Sequence, residues 1–174
     1  DGWFRTGDLG VLSGRGHLRI TGRVKSMIVL KNGKKVFPEE IESLINKQLA
    51  FVKESMVWGE PDVDSDVDIC ARIVLDREKV IEELGAEPDE THLKKLLDTA
   101  IRKVNSIMPS FKTVRYYTYG YQDLVKTTTL KVKRYIEVER IRKALAGAST
   151  SVKAAAGRNI DALLERLSHL FERN

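Results

Sequence analysis

The sequence predicts an α+β fold, because short strand patterns and amphipathic helix patterns follow one another in a chain of about domain size. The chain has 174 residues, of which 42% are hydrophobic and 32% are charged, enough for one compact domain. Apolar residues recur at helical spacing from Ile41 to Leu49 and from Leu93 to Ile107. No apolar run is long enough to cross a bilayer, so the sequence argues against a transmembrane protein.

The strand patterns share a short alternating, apolar or aromatic run that is bounded by turn residues. They lie at residues 3–8, 17–20, 27–30, 55–58, 69–75 and 114–119. The first two surround a glycine turn and predict a β-hairpin. The third ends in a turn at residues 31–34, and an acidic loop at residues 60–62 is expected to separate the fourth from the fifth.

The helix patterns have clear ends. Pro38 lies in the first turn of one helix, where its fixed backbone angle fits. Asp89 is placed to cap a longer helix, which Pro109 ends. A short helix around residues 79–84 and a basic helix at 134–145 complete the predicted elements.

The segment after residue 145 predicts a separate unit. Residues 146–157 are rich in Ala, Gly and Ser, which is typical of a linker. Residues 158–174 place apolar side chains on one helical stripe. That stripe could dock on the domain, pair two chains or lie on a membrane, and its charges of mixed sign favour docking or self-association.

Charge is distributed unevenly along the chain, although the net charge is only +5. Residues 5–35 hold 8 basic residues and 1 acidic residue, and residues 102–143 hold 11 basic and 3 acidic residues. Between them, residues 54–90 hold 13 acidic and 3 basic residues. This pattern fits an anionic ligand, such as nucleic acid, a membrane surface or a phosphorylated small molecule, and equally a solvated charged surface.

Neither a metal site nor a histidine-based catalytic site is expected. His17, His92 and His169 lie far apart in sequence and form no ligand spacing. Cys70 lies in a strand pattern and is predicted to be a small core residue. A single cysteine allows no intrachain disulfide, so the sequence predicts a cytoplasmic location, with at most peripheral contact at the inner face of the membrane.

Three segments carry the functional signal. WFRTGDLG at residues 3–10 places Asp8 after a glycine, where its carboxylate could hold two ribose hydroxyls or stabilise its own turn. GRVKSMIVLKNGKKVFPEEIE at residues 22–42 predicts a strand, a turn and a helix with a cationic rim. LVKTTTLKVKR at residues 124–134 predicts a polar basic loop, whose lysine could neutralise a carboxylate or phosphate.

In this order and spacing, the three segments resemble the C-terminal part of the acyl-adenylate-forming enzymes, which include acyl-CoA synthetases, peptide-synthetase adenylation domains and luciferases. The resemblance covers residues 1–145, and the residues of the second and third segments are similar to those of long-chain fatty-acid CoA ligases. It implies a lid domain at residues 23–145, in which a small mixed sheet packs with helices. Residues 1–22 would be the last β-hairpin of a large N-terminal domain. The chain has no initiator Met, and we expect it to be a fragment that is inactive alone.

The resemblance also implies a role for individual residues. Asp8 and Arg23 would bind the nucleotide, Lys25 would be the hinge, and Lys131 would be the catalytic lysine that bridges the substrate carboxylate and the α-phosphate. Three residues would lie where pantetheine approaches the lid: Gly33, Lys34 and Lys35.

The implied reaction joins a fatty acid to CoA in two steps, first giving acyl-AMP and pyrophosphate and then acyl-CoA and AMP. ATP with Mg²⁺ would be bound mainly by the N-terminal domain, and CoA is the co-substrate. The expected partners are the fatty acid, ATP, CoA and the chain's own N-terminal domain, with no nucleic acid. Two residues depart from the family's pattern: Val125 replaces a frequent Pro, and Leu130 replaces the usual Gly, which predicts a stiffer loop.

Two alternatives stay open at this point. A basic nucleic-acid or anionic-membrane binding module could stack bases on its tyrosines. However, Tyr116 and Tyr117 would point to opposite faces of a strand, so at least one of them is expected in the core. A non-catalytic interaction domain with the lid fold is the other alternative, and the presence of Asp8, Arg23 and Lys131 argues against it.

Overall fold

A computed structural model describes residues 2–61 and 66–146 of the chain. In chain order its strands are β1 (Asp8–Leu12), β2 (Leu18–Arg23), β3 (Ile28–Val29), β4 (Lys35–Val36), β5 (Val52–Pro61), β6 (Val67–Leu75) and β7 (Tyr116–Gly120). Its helices are α1 (Pro38–Gln48), α2 (Arg77–Leu84), α3 (Glu90–Ser106) and α4 (Arg134–Ala146). The predicted linker and C-terminal stripe lie outside the described residues from residue 147 onward.

The centre of the fold is a mixed three-stranded sheet in the order β5-β6-β7. β5 runs antiparallel to β6, with Val57 opposite Ala71, and β7 runs parallel to β6, with Tyr117 opposite Ala71. The middle strand β6 is buried on both faces, which explains its nearly continuous apolar sequence. The prediction of an α+β fold with a small mixed sheet is confirmed.

Helices cover both faces of this sheet. Ile41 and Ile45 of α1 and Leu97 of α3 belong to the larger core cluster on one face. The smaller cluster on the other face joins Met56 and Cys70 of the sheet to residues of α4 and of the segment that precedes it. Cys70 is buried, as the sequence predicts.

The ends of α1 and α3 follow the predicted local signals. Pro38 is the first residue of α1, and Asp89 caps α3 by accepting a hydrogen bond from the backbone N–H of His92 at 2.8 Å. The prediction for Ile107 is wrong, because α3 ends at Ser106 and the Ile107 side chain is exposed.

Three strand predictions need correction. The hairpin pairs residues 8–12 with residues 18–23, so its first strand begins at Asp8, where the prediction for residues 3–8 ends. The two-residue strand β4 was missed, although it closes the turn after β3. The predicted acidic loop at 60–62 begins too early, because Glu60 and Pro61 still belong to β5.

The burial of Glu60 has a physical reason. Its carboxylate accepts hydrogen bonds from the Trp58 indole Nε1 at 2.9 Å and from the Arg142 guanidinium at 2.6 Å. These two donors replace the water that a loop position would offer, so the residue is only 4% exposed.

Candidate functional site

The β1–β2 hairpin brings together the two residues that the sequence predicts to bind a nucleotide. Asp8 and Arg23 lie opposite each other in the strand register, and Arg23 Nε lies 3.0 Å from Asp8 Oδ1. The Thr6 hydroxyl accepts a hydrogen bond from the Asp8 backbone N–H at 3.1 Å. A cleft of about 380 Å³ lies between this pair and the start of α1, where Glu39 is part of its lining. The cleft offers both a carboxylate and a guanidinium to a ligand.

Lys25 lies at the junction between the hairpin and the rest of the fold. It is exposed and occupies a single 3₁₀ turn, Val24–Ser26, which directly follows β2. Just before this turn, a Cβ atom at Gly22 would lie 3.1 Å from Phe37 and 3.2 Å from a Glu39 carboxylate oxygen. The hairpin and α1 therefore pack closely beside a one-turn connection, which is a suitable place for a hinge.

The turn between β3 and β4 carries Gly33 in a left-handed conformation, with φ of +78°. Two backbone hydrogen bonds close the turn: Leu30 N–H donates to the Lys34 carbonyl at 2.9 Å, and Gly33 N–H donates to the Leu30 carbonyl at 2.8 Å. A Cβ atom at Gly33 would meet no atom within 4 Å. The glycine is needed for its backbone angle, and its outer surface is open to an approaching ligand.

The two lysines after Gly33 differ in their surroundings. Lys34 Nζ lies 4.6 Å from the centroid of the Phe111 ring, a cation–π contact. Lys35 begins β4 and is exposed. The turn therefore carries two positive charges directly after Gly33.

Lys131 lies near the tip of a loop that is closed by short-range hydrogen bonds. Thr127 N–H donates to the Lys131 carbonyl at 2.8 Å, and Lys131 N–H donates to the Thr127 hydroxyl at 3.1 Å. Leu130 adopts a left-handed conformation with φ of +59°, and its side chain is 79% exposed. The departure from the family's glycine thus keeps a backbone conformation that glycine adopts without strain.

Two acidic side chains hold the base of this loop. Glu54 of β5 accepts the Leu124 N–H at 3.0 Å and lies 2.5 Å from Lys126 Nζ. Glu137 of α4 is 2% exposed and accepts the Val125 N–H at 2.9 Å. The base of the loop is therefore fixed to the sheet and to α4, while no ion pair within the described ranges 2–61 and 66–146 engages Lys131.

Arg134 fixes the other end of the loop. Its guanidinium donates to both carboxylate oxygens of Glu42, at 2.5 and 3.1 Å, and to Glu39 at 3.1 Å. Burial alone would lower the pKa of Arg134, but the hydrogen bonds and charges of the two glutamates outweigh it and raise that pKa. The sequence does not predict the pairing of Arg134 with Glu42, although these residues end the third and second motif segments.

The structure joins the predicted residues into two groups. Asp8 contacts Arg23 in the hairpin, and the Lys131 loop is joined to α1 through Arg134. No hydrogen bond or ion pair among the described residues connects the Asp8 pair with the Lys131 loop. The two groups lie on either side of the Lys25 turn in the chain.

The tyrosines of β7 do not form an exposed stacking surface. Tyr117 is buried, and its hydroxyl donates to Asp98 at 2.7 Å. Burial, followed by that hydrogen bond, raises the pKa of Tyr117 far above its ordinary value. Tyr116 packs on the smaller core cluster, which is on the other face of the sheet, as its alternation predicts. This arrangement does not favour base stacking.

The part of the chain that the structure describes lacks two features, a metal-binding cluster and a membrane-spanning helix. It contains no group of three or more His, Cys, Asp or Glu residues that could hold a metal ion. Among the same residues, no helix combines the length and apolar character that are needed to cross a membrane.

Comparison with known proteins gives one family and several relatives. The model of the AMP-binding enzyme C-terminal domain matches residues 25–134. The long-chain-fatty-acid–CoA ligase FadD15 of Mycobacterium tuberculosis is 30% identical over 159 residues, which cover 80% of this chain and 25% of that protein. The indoleacetate–CoA ligase of Aromatoleum aromaticum is 41% identical over 66 residues, which cover 34% of this chain and 13% of that protein.

Among solved structures, ATP-bound MatB from Rhodopseudomonas palustris superposes with a TM-score of 0.59 at 30% identity. The match covers 79% of this chain and 24% of that one. The chain thus spans about a quarter of the length of FadD15 and of MatB.

Proposed function

The chain belongs to the family of AMP-binding enzyme C-terminal domains, and from this premise we propose that it is the lid of an ATP-dependent acid–CoA ligase. The substrate that we propose is a long-chain fatty acid. FadD15, which is named for that substrate, matches 80% of the chain, whereas the indoleacetate ligase matches 34%. The observation that carries the proposal is the Lys131 loop, whose base is anchored by buried carboxylates and whose lysine is left unpaired among the described residues.

In the first step, a fatty carboxylate oxygen attacks the α-phosphorus of ATP. A new O–P bond forms, the bond to the β-phosphate oxygen breaks, and pyrophosphate leaves with the electron pair. Lys131 is proposed to lie between the carboxylate and the α-phosphate, where its ammonium group stabilises the negative charge that develops there. Removing one such stabilising group typically costs about 3 to 4 kcal/mol of activation free energy.

In the second step, the sulfur of CoA attacks the acyl carbon and forms a C–S bond, while the bond from that carbon to the phosphate oxygen breaks. AMP leaves with the electron pair, and the thiol proton passes to solvent. The lid is proposed to rotate about Lys25 between the two steps, withdrawing Lys131 and presenting the Gly33 turn. The open surface at Gly33 and the positive charge of Lys34 and Lys35 support an approach of the pantetheine arm at that turn.

Asp8 and Arg23 are proposed to bind the nucleotide. Their ion pair is partly exposed, at 27% and 49% of the two side chains, so it can exchange a mutual contact for contacts with ribose hydroxyls or phosphate. ATP would arrive as its Mg²⁺ complex, held mainly by a large N-terminal domain.

That N-terminal domain is the proposed macromolecular partner. Three apolar side chains on one face of the hairpin have no cover among the described residues and are each more than half exposed: Leu12, Leu18 and Ile20. Such a patch is typical of a surface that packs on another domain. Residues 1–22 are therefore proposed to be the end of that domain, residues 23–145 the lid and 146–157 a linker.

Two further proposals concern the whole protein. Self-association through residues 158–174 is tested by light scattering, which compares the number of chains per particle in the whole chain and in the chain shortened to residue 147. An unchanged number would contradict this proposal. A cytoplasmic location is supported by the single cysteine of the chain, which allows no intrachain disulfide, and fractionation of cells that express the enzyme tests it.

Pyrophosphate exchange tests the main proposal directly. The full-length enzyme is assayed for ATP–pyrophosphate exchange with fatty acids of several chain lengths and with indoleacetate, and exchange is expected with the long-chain acids. Lys131→Ala should reduce this exchange by about 100- to 1,000-fold, while Lys133→Ala, on the same loop, serves as the matched control. Undiminished exchange in Lys131→Ala would remove that lysine from its assigned role. Robust exchange by the 174-residue chain alone would contradict its role as an incomplete lid.

A further inference from the structure

The Lys131 loop continues directly into a buried ion pair that none of the proposed catalytic roles uses. Arg134 is the third residue after Lys131 and the first residue of α4. Its side chain is 25% exposed and its partner Glu42 is 14% exposed, so the pair is largely removed from water. Burying two charges in this way is costly unless their geometry is good, and here the guanidinium donates three hydrogen bonds to carboxylates.

The geometry of this pair requires an arginine. Both Arg134 Nη atoms reach Glu42, one to each carboxylate oxygen, and Nη2 also reaches Glu39. A lysine carries the same charge but has one nitrogen and no planar fork, so it cannot reproduce two parallel hydrogen bonds.

Glu42 is itself held in place from a second side. Its Oε1 accepts the backbone N–H of Val57 at 2.7 Å, on the edge strand β5 of the central sheet. Arg134 therefore docks on a carboxylate whose position is set by the sheet, and the start of α4 is fixed relative to the core. The end of the loop is therefore also held close to the core, because only Val132 and Lys133 lie between Lys131 and Arg134.

The same ion pair leads to the other functional element. Glu39 and Glu42 belong to α1, which begins two residues after β4. β4 pairs with β3, and the Gly33 turn joins these two strands. One guanidinium thus connects the loop of Lys131 with the helix that follows the Gly33 turn and β4 in the chain.

From this arrangement we infer that Arg134 is a positioning residue, which sets where the Lys131 ammonium group lies when the lid closes for adenylation. The inference rests on the proposed function, in which Lys131 acts in the first step only. Glu54 and Glu137 hold the side of the loop before Lys131. On the side after Lys131, Arg134 adds a side-chain anchor to the backbone hydrogen bond from Lys133 N–H to the Val125 carbonyl at 2.8 Å, so the loss of Arg134 loosens that side. The lysine then spends less time at the reacting phosphate.

The test uses Arg134→Lys in the full-length enzyme, with the two half-reactions measured separately. Adenylation is followed by ATP–pyrophosphate exchange, and thioester formation is followed from added acyl-AMP and CoA. We expect the kcat of exchange to fall between about 10-fold and about 100-fold, with the KM for ATP and the thioester step changed less than 3-fold. A merely structural role would lower both half-reactions together or neither.

Arg142→Lys is the matched control. Arg142 also lies in α4 and pairs with a buried carboxylate, that of Glu60, but it lies about two turns further along the helix and does not contact the loop. Equal loss of exchange in both variants would overturn the inference. If Arg134→Lys does not fold, Glu39→Gln is the second variant, because it weakens the hydrogen bonds of the Arg134 guanidinium while leaving the contact of Glu42 with Val57. A normal rate of exchange together with normal stability in Glu39→Gln would also overturn the inference.

A double substitution separates this inference from the proposed function. If Arg134 acts through Lys131, then Arg134→Lys added to Lys131→Ala should cause no further loss of exchange, because the group that it positions is gone. Additive losses would overturn the positioning role. Full exchange in Lys131→Ala alone would instead refute the proposed catalytic lysine, whatever the result for Arg134.

Discussion

Leu130→Gly is the substitution for which the structure makes the least intuitive prediction. Replacing an ordinary loop residue by glycine lowers the free energy of unfolding, because the unfolded chain gains conformational freedom. Leu130 differs because its φ of +59° lies in the left-handed region, where a Cβ atom is strained and glycine is not. The side chain is 79% exposed, so little buried apolar surface is lost on its removal.

The expected magnitude follows from two opposing terms. Relief of the left-handed backbone strain is worth about 1 to 2 kcal/mol, and the added freedom of the unfolded chain costs about 0.4 to 1 kcal/mol. Leu130→Gly should therefore leave the free energy of unfolding unchanged or raise it by up to about 1.6 kcal/mol. Thr128→Gly, two residues away and also exposed, carries no positive φ and should lower it by about 0.4 to 1 kcal/mol.

Urea unfolding of the two variants and the parent chain measures this difference. The anchors at Glu54 and Arg134 tie the loop to the core, so strain within the loop contributes to the overall unfolding free energy. Relative to the parent chain, the urea midpoint of Thr128→Gly should fall, whereas that of Leu130→Gly should rise or stay in place. The m-values of both variants should be unchanged. A Leu130→Gly variant that is destabilised as much as Thr128→Gly would refute the assignment of strain to Leu130.

Three further predictions concern stability and the second half-reaction. Gly33→Ala should lower the free energy of unfolding in urea by about 1 kcal/mol through its positive φ alone, since open space surrounds the position. The same variant should slow thioester formation more than pyrophosphate exchange. Equal slowing of the two half-reactions would contradict the proposed approach of pantetheine. Arg142→Ala leaves the buried carboxylate of Glu60 without its cation and should lower the unfolding free energy by about 3 kcal/mol, whereas Arg77→Ala, which breaks an exposed ion pair, should change it by less than about 1 kcal/mol. The backbone N–H of His92 lowers the pKa of the Asp89 carboxyl below 3.8, so the stabilising contribution of Asp89 is complete above pH 3.8 and is lost as the pH falls through the lower folded-state pKa. In urea unfolding recorded at several pH values, Asp89→Asn should therefore reduce the loss of unfolding free energy at acid pH. An unchanged loss in that variant would show that Asp89 does not contribute to it.

The parts of the fold that the sequence predicts well are those with local signals. Pro38 and Asp89 begin helices through their own backbone angle or side chain, and each helix then shows its buried face at regular spacing. β6 was also predicted nearly in full, because a strand that is buried on both faces is continuously apolar. None of these features needs a distant partner to be recognised.

The parts that the sequence does not predict depend on pairs that lie far apart in the chain. Glu60 resembles a loop residue until Arg142 is placed beside it. Similarly, the motifs indicate Lys131, but the carboxylates that hold its loop lie in other elements, Glu54 in β5 and Glu42 in α1. A charged residue in an isolated sequence is expected in solvent, and only the folded chain shows which cation it meets.

These pairs also explain why charge is so uneven along the sequence. Three carboxylates of the acidic stretch 54–90 are largely buried against cations from the basic stretch 102–143, in the pairs Glu54–Lys126, Asp68–Arg115 and Glu60–Arg142. Part of the basic stretch is therefore neutralised inside the fold and does not form an anion-binding surface. Lys131 engages no ion pair among the described residues and stands on a loop that the Glu54–Lys126 pair holds. Its ammonium group is therefore not neutralised by a protein carboxylate, as its proposed role beside a bound carboxylate and phosphate requires.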